Sequence, residues 1–491
     1  MKHSAGNRKI AARHQSRQYH AITQSGFTLV ELLVSVALVL LMMVMFTEIF
    51  QIASNSITTQ RGLSENDQRA RMLTTLIQSD LNKRTFQNVL ALDPGELLTS
   101  PPPNSSSFRD RRGYLYISEN DPNNDSDDLI QFTVDAGITT KLLDTTPYYG
   151  TATLLGTGIT PPGKTAETYH PNQPETDDAR ISADNSSVSP YAEVCYFMRG
   201  GNLYRRTLLI RKPLDLDTTR SLQPETSDGR EFFNPAESLY SGNFWNDFDF
   251  SAYRTIADPY AHFHGVESLD NFNTSSLFLI SHPNTRFGFN HATGRPREYV
   301  DDTDDVPQFF GRFTHQETSD PDFLYPQANS TAGGNNPMNP SGSTLDLDRT
   351  TNVVAQYASG SRRSEDLVMP NVIAFDIKLF DEGLGQFTDI GSSIAVDYAS
   401  SATPAYHNNN PDSTHATNIF DTWGLSYDID NADSDGIYIT GADSPPFRPV
   451  NGSGSPRPLK AIQITIRYID VSSQQLRQMT IVHPLRNLLA D

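Results

Sequence analysis

QSGFTLVELLVSVALVLLMMVMF, residues 24–46, decides how the rest of the chain is read. It continues to Phe50 with Thr28, Glu31, Ser35, Thr47 and Glu48 as its only polar residues after Gly26. As a helix, residues 27–50 reach about 36 Å, enough for a hydrocarbon layer of about 30 Å. A secretory signal has a shorter apolar core and then a small-residue cleavage site. Here the small residue, Gly26, comes before the apolar run. Glu31 is a second anomaly, because a carboxylate held in lipid costs about 2.5–3.5 kcal/mol and needs a partner.

Charge is divided about this segment. Residues 1–26 hold Lys2, Arg8, Lys9, Arg13 and Arg17 and no acid. The whole chain of 491 residues carries −20, so the remainder carries −25 once the +5 of the leader is set apart. A short basic end before an apolar run stays cytoplasmic, and the acidic bulk crosses. An acidic bulk also argues against nucleic acid as a partner, since phosphate binding needs basic surface. Cys195 is the single cysteine, so no intrachain disulfide exists. It reads as a small buried hydrophobe.

GFTLVELLVSVALVLL resembles the class III signal of type IV pilins and of the pseudopilins of type II secretion. That resemblance implies cutting between Gly26 and Phe27 by a prepilin peptidase on the cytoplasmic side, then methylation of the new N-terminus. Glu31 becomes the fifth residue of the mature chain. The family assigns that carboxylate to assembly, where it meets the N-terminus of a neighbouring subunit. The implied partners are the peptidase, other minor and major pseudopilins, and an inner-membrane assembly platform.

Beyond residue 50, Leu73, Leu76, Ile77, Asp80 and Leu81 recur at helical spacing, with Arg69, Arg71, Gln78 and Lys83 on the wetter faces. Gly62 and Ser64 interrupt the pattern, and Asn66–Asp67 offer caps for a second helical section. RMLTTLIQSDL resembles the corresponding helix of J-type minor pseudopilins.

Strand signals follow. Tyr114–Ile117 and Leu129–Val134 are short and rich in β-formers. AEVCYFMRGGNLYRRTLLI (192–210) is a hairpin about Gly200–Gly201–Asn202. NVIAFDIKLFD (371–381) alternates Ile373, Phe375, Ile377 and Leu379 against Ala374, Asp376 and Lys378. AIQITIRYID (461–470) alternates Ile462, Ile464, Ile466 and Tyr468 against polar positions, and RQMTIVH (477–483) follows. The order of these segments also resembles J-type pseudopilins.

The expected fold is therefore α+β and pilin-like, a long N-terminal helix packed on antiparallel sheet with large irregular insertions. The expected divisions are a basic leader (1–26), a transmembrane helix (27–50), its amphipathic continuation (51–85) and a first β region (86–211). Then come an acidic polar insertion (212–368), β strands (369–395), an acidic loop (396–457) and a C-terminal hairpin (458–491). The 212–368 tract reads as surface insertion ordered in part by aromatics such as Phe244, Trp245, Phe248 and Phe250.

No nucleotide, zinc-protease or nucleophile-elbow signature is present, so an enzyme is not expected. His262 and His264 share a strand face but lack a third ligand. In DIDNADSDG (428–436), Asn431, Asp433 and Asp435 stand at the first, third and fifth positions of a calcium-loop pattern with Gly436 as the turn. The twelfth position is Ala442 rather than glutamate, so calcium rests on a partial match. DPNNDSDD (121–128) is a weaker acidic cluster. The expected function is a minor pseudopilin at the tip of a periplasmic pseudopilus, anchored in the inner membrane. A minor pilin of a type IV or DNA-uptake pilus is the alternative, and a membrane-anchored binding protein or hydrolase a more distant one.

Overall fold

The structure is a computed structural model. It describes residues 26–90, 92, 110–119, 125–126, 128–138, 145–152, 185–199, 201–210, short segments between 231 and 354, 365–390, 392, 419–422, 457–470 and 473–485. The chain divides into two compact units, Met1–Arg61 and Gly62–Asp491.

One helix, α1, runs Leu29–Asn82 without a break. The expected second start at Asn66–Asp67 is not used. Neither Gly62 nor Ser64 is a strong enough breaker, since glycine costs a helix only about 1 kcal/mol. From Phe27 to Phe50 the large apolar side chains are exposed, with Phe27 at 82%.

The main strands of the second unit are β1 (Leu115–Ser118), β2 (Leu129–Asp135), β3 (Tyr148–Thr151), β4 (Ser186–Ser189), β5 (Tyr191–Arg199), β6 (Asn202–Ile210), β7 (Glu365–Pro370), β8 (Val372–Asp381), β9 (Gln386–Thr388), β10 (Ile419–Asp421), β11 (Ala461–Asp470) and β12 (Gln475–Pro484). They form a six-stranded sheet, ordered β7-β6-β5-β2-β1-β10, and a four-stranded sheet, ordered β9-β8-β11-β12. Every pairing in both sheets is antiparallel. The 192–210 hairpin forms as its sequence dictates. Arg199 pairs with Asn202, and Gly201 takes the left-handed φ of 71° that the tight turn needs.

A single apolar core joins Leu73, Ile77 and Leu81 of α1 to the inner faces of both sheets, among them Phe132, Tyr196, Phe375, Ile464 and Ile466. The outer face of the larger sheet is also covered. Tyr114, Leu129, Cys195 and Phe197 pack there against Leu269 and Ile280. Double coverage explains why β2 is buried at six successive positions rather than alternating.

Two expectations need correction. Ile373 is not on the core face but is 46% exposed. A β-bulge between Val372 and Ala374 shifts the register, so Val372 takes the inward position opposite Tyr468. The 212–368 tract is also more than a polar surface insertion. Phe248, Phe250, Leu269 and Ile280 from it are buried. Phe250 bridges Leu209, and Phe248 bridges Ala152. Phe244 and Trp245 lie outside the described residues.

Gly113, just before β1, packs closely against Thr133 of β2 and Thr85. Its φ is 66°, and an added Cβ would stand 1.9 Å from Thr133 Oγ1 and 2.6 Å from Thr85 Oγ1. Those hydroxyls are themselves bonded at 2.5 Å. Gly113→Ala should therefore destabilise the unit by about 2 kcal/mol through overpacking and backbone strain, measured as a lowered urea midpoint.

Candidate functional site

The chain turns into α1 at Gly26–Phe27–Thr28, all exposed. Thr28 is the N-cap and Glu31 the third helical residue. Thr28 N and Thr28 Oγ1 each donate to Glu31 Oε2 at 2.9 Å, and Glu31 N donates to Thr28 Oγ1 at 3.3 Å. This reciprocal capping box satisfies donors that the first helical turn leaves open. It gives the intramembrane carboxylate a partner within its own chain. The T-x-x-E spacing of Thr28 and Glu31 is the sequence signature of this cap.

Among the described residues nothing lies within 4 Å of a Cβ built on Gly26, and its φ is not left-handed, so no described contact requires glycine there. Gly26, Phe27 and Glu31 are thus gathered at one exposed helix start.

Asn431, Asp433 and Asp435 lie outside the described residues, as do Asp121, Asn123 and Asp127 of the second acidic cluster. Its described members have structural partners. Asp125 accepts from Arg467 NH1 at 2.7 Å, and Asp128 Oδ2 accepts from Ile377 N at 2.5 Å. Together they tie the β1–β2 connection to β8 and to its neighbour β11. Among the described residues no group of three or more His, Cys, Asp and Glu side chains is arranged to hold a metal. His264 is buried, with Nδ1 2.9 Å from Ser251 Oγ.

The polar groups that organise the second unit were missed by motif reading. Asp80 sits in the apolar stripe of α1 and is buried. Arg205 reaches it through Nε at 2.8 Å and NH2 at 3.2 Å, and Tyr196 OH donates to it at 2.6 Å. Burial and then the Asp80 charge push the Tyr196 hydroxyl well up. Burial alone would lower Arg205, but Asp80 and Tyr196 outweigh it and its pKa is raised. The signal was an acid at core spacing, Asp80, matched by arginine in an alternating strand. At the larger sheet's other edge, Arg286 grips Asp421 with two bonds, at 2.9 and 3.1 Å, and stacks 3.6 Å over the Tyr114 ring.

The family model for the prokaryotic N-terminal methylation motif matches residues 23–47. That motif indicates a type IV pilin-like protein, which implies processing by a prepilin peptidase and assembly with other pilins. α1 is long and apolar enough to cross a membrane once, as pilin-like anchors do. No curated protein and no solved structure matches the chain.

Proposed function

We propose that the chain is a minor pseudopilin of a type II secretion system, a non-enzymatic subunit near the tip of a periplasmic pseudopilus. The observation that carries the reading is the exposed Gly26–Phe27 junction before an apolar helix whose fifth mature residue is Glu31. In this account the basic leader stays cytoplasmic, the peptidase cuts after Gly26, and the bulk is periplasmic. Glu31 then leaves its cap with Thr28 and meets the amine of an adjacent subunit as the helix leaves lipid. At 54.5 kDa the chain is bulky for a subunit repeated along a shaft, which favours a tip position. The helix-on-sheet core and the order of its strands fit J-type pseudopilins.

Deleting the gene and complementing it with wild type or Gly26→Arg tests the proposal. Exported enzymes should accumulate in the periplasm while surface pili persist. Gly26→Arg should fail to restore export, although no described residue stands close enough to residue 26 for the larger side chain to disturb the fold. Loss of pili with export unchanged would instead make the chain a minor pilin.

A further inference from the structure

Helix α1 begins at Leu29, and Gly26, Phe27 and Thr28 stand ahead of it in non-helical backbone. The bond between Gly26 and Phe27 lies in that short stretch. Thr28 sets the boundary. Its carbonyl accepts the first helical bond, from Leu32 N at 3.1 Å, which makes Thr28 the N-cap. Its hydroxyl accepts from Glu31 N at 3.3 Å and donates to Glu31 Oε2 at 2.9 Å. Its own N–H donates to the same carboxylate oxygen at 2.9 Å.

The next side chain of capping type upstream is Ser25, one turn earlier. A helix begun at Ser25 would take Gly26 and Phe27 as its first two residues. Ser25 would then claim the Thr28 N–H that Glu31 now holds. The two starts therefore compete for one donor, and they put the Gly26–Phe27 bond on opposite sides of the helix boundary. Peptide bonds are cut in open chain rather than within a helical turn. The rate follows the fraction of molecules that present the bond open.

We propose that Thr28 is a positioning residue for the cut: its cap with Glu31 stops the helix short of Gly26–Phe27 and keeps that bond open to the peptidase. Glu31 thereby serves processing through its hydrogen bonds, separately from any service to assembly through its charge. The inference rests on the reading that Gly26–Phe27 is the bond cut, and it holds for a secretion or a pilus subunit alike.

The test follows loss of the leader from the full chain in detergent, mixed with membranes that hold the peptidase of its own cells. Thr28→Val keeps the shape of the side chain and removes the hydroxyl. It should be cut about fivefold more slowly, the factor by which a lost cap shifts a helix start. Thr28→Ser and Glu31→Gln each keep a capping box, so both should be cut at the wild-type rate. Amide exchange at Leu29 and Val30 should slow in Thr28→Val alone, because a helix begun at Ser25 gives those N–H groups carbonyl partners. Equal cutting of Thr28→Val and wild type would overturn the proposal. Slow cutting of Thr28→Val with exchange unchanged would overturn it too, since the peptidase would then be reading the hydroxyl itself. A wild-type chain that loses no leader would overturn the cut site, and this inference with it.

Discussion

Asp80→Ala should lower the stability of the Gly62–Asp491 unit by about 3–5 kcal/mol, the usual consequence of removing one partner from a buried ion pair. Its side chain is 3% exposed and that of Arg205 is 11% exposed. The variant takes the carboxylate from Arg205 and the acceptor from the buried Tyr196 hydroxyl. Arg205→Ala should cost a similar amount. Replacing the pair together, Asp80→Ala with Arg205→Ala, should cost far less than the two single losses combined, because neither charge is then stranded. Urea unfolding of the four proteins gives the coupling directly. Near-additive losses would mean that the pair does not join α1 to β5 and β6 in the way its geometry implies.

The second large effect concerns His483 on β12. It lies 3.5 Å from Arg84 NH1, and Arg84 is pinned by bonds to Leu81 O and Leu485 O at 2.7 Å. Burial, and then the Arg84 charge, lower the His483 pKa from the ordinary 6.5 to about 4. Burial likewise brings Arg84 down to about 10. Because the folded pKa is depressed, the unfolded chain takes up the proton first as the pH falls. The contribution of His483 is complete above pH 6.5 and drains away between 6.5 and about 4. The loss amounts to roughly 3 kcal/mol by linkage. Carboxylates titrate near the lower end of the same window, so the comparison must be a difference. Subtracting the stability profile of His483→Gln from that of wild type should leave a slope confined to this window. A flat difference would show that His483 titrates normally.

How much of this was legible in sequence depended on whether the signal was local. The helix start, the hairpin at Gly200–Gly201–Asn202 and the alternation of Ile462, Ile464 and Ile466 are set by neighbours in the chain, and all stand in the fold. Ile373 misled because a bulge is set by the register of a distant strand, not by local alternation. Leu269 and Ile280 lie in stretches with no period, so nothing local marked them as core, whereas Phe248 and Phe250 stood out only as part of an aromatic cluster. Asp80 was visible at core spacing, but its meaning came from Arg205, 125 residues later. At the helix start the reverse holds. Gly26, Phe27 and Glu31 stand in a contiguous motif, and the T-x-x-E spacing of Thr28 and Glu31 marks the cap in the same local way.

The most direct test of the account is the mass of the N-terminal peptide of the chain purified from membranes of its own cells. The account predicts a chain that begins at Phe27 and carries one methyl group on its amine, and the uncut leader still present in Gly26→Arg. A chain that retains residues 1–26 in wild type, or is cut elsewhere, would contradict it.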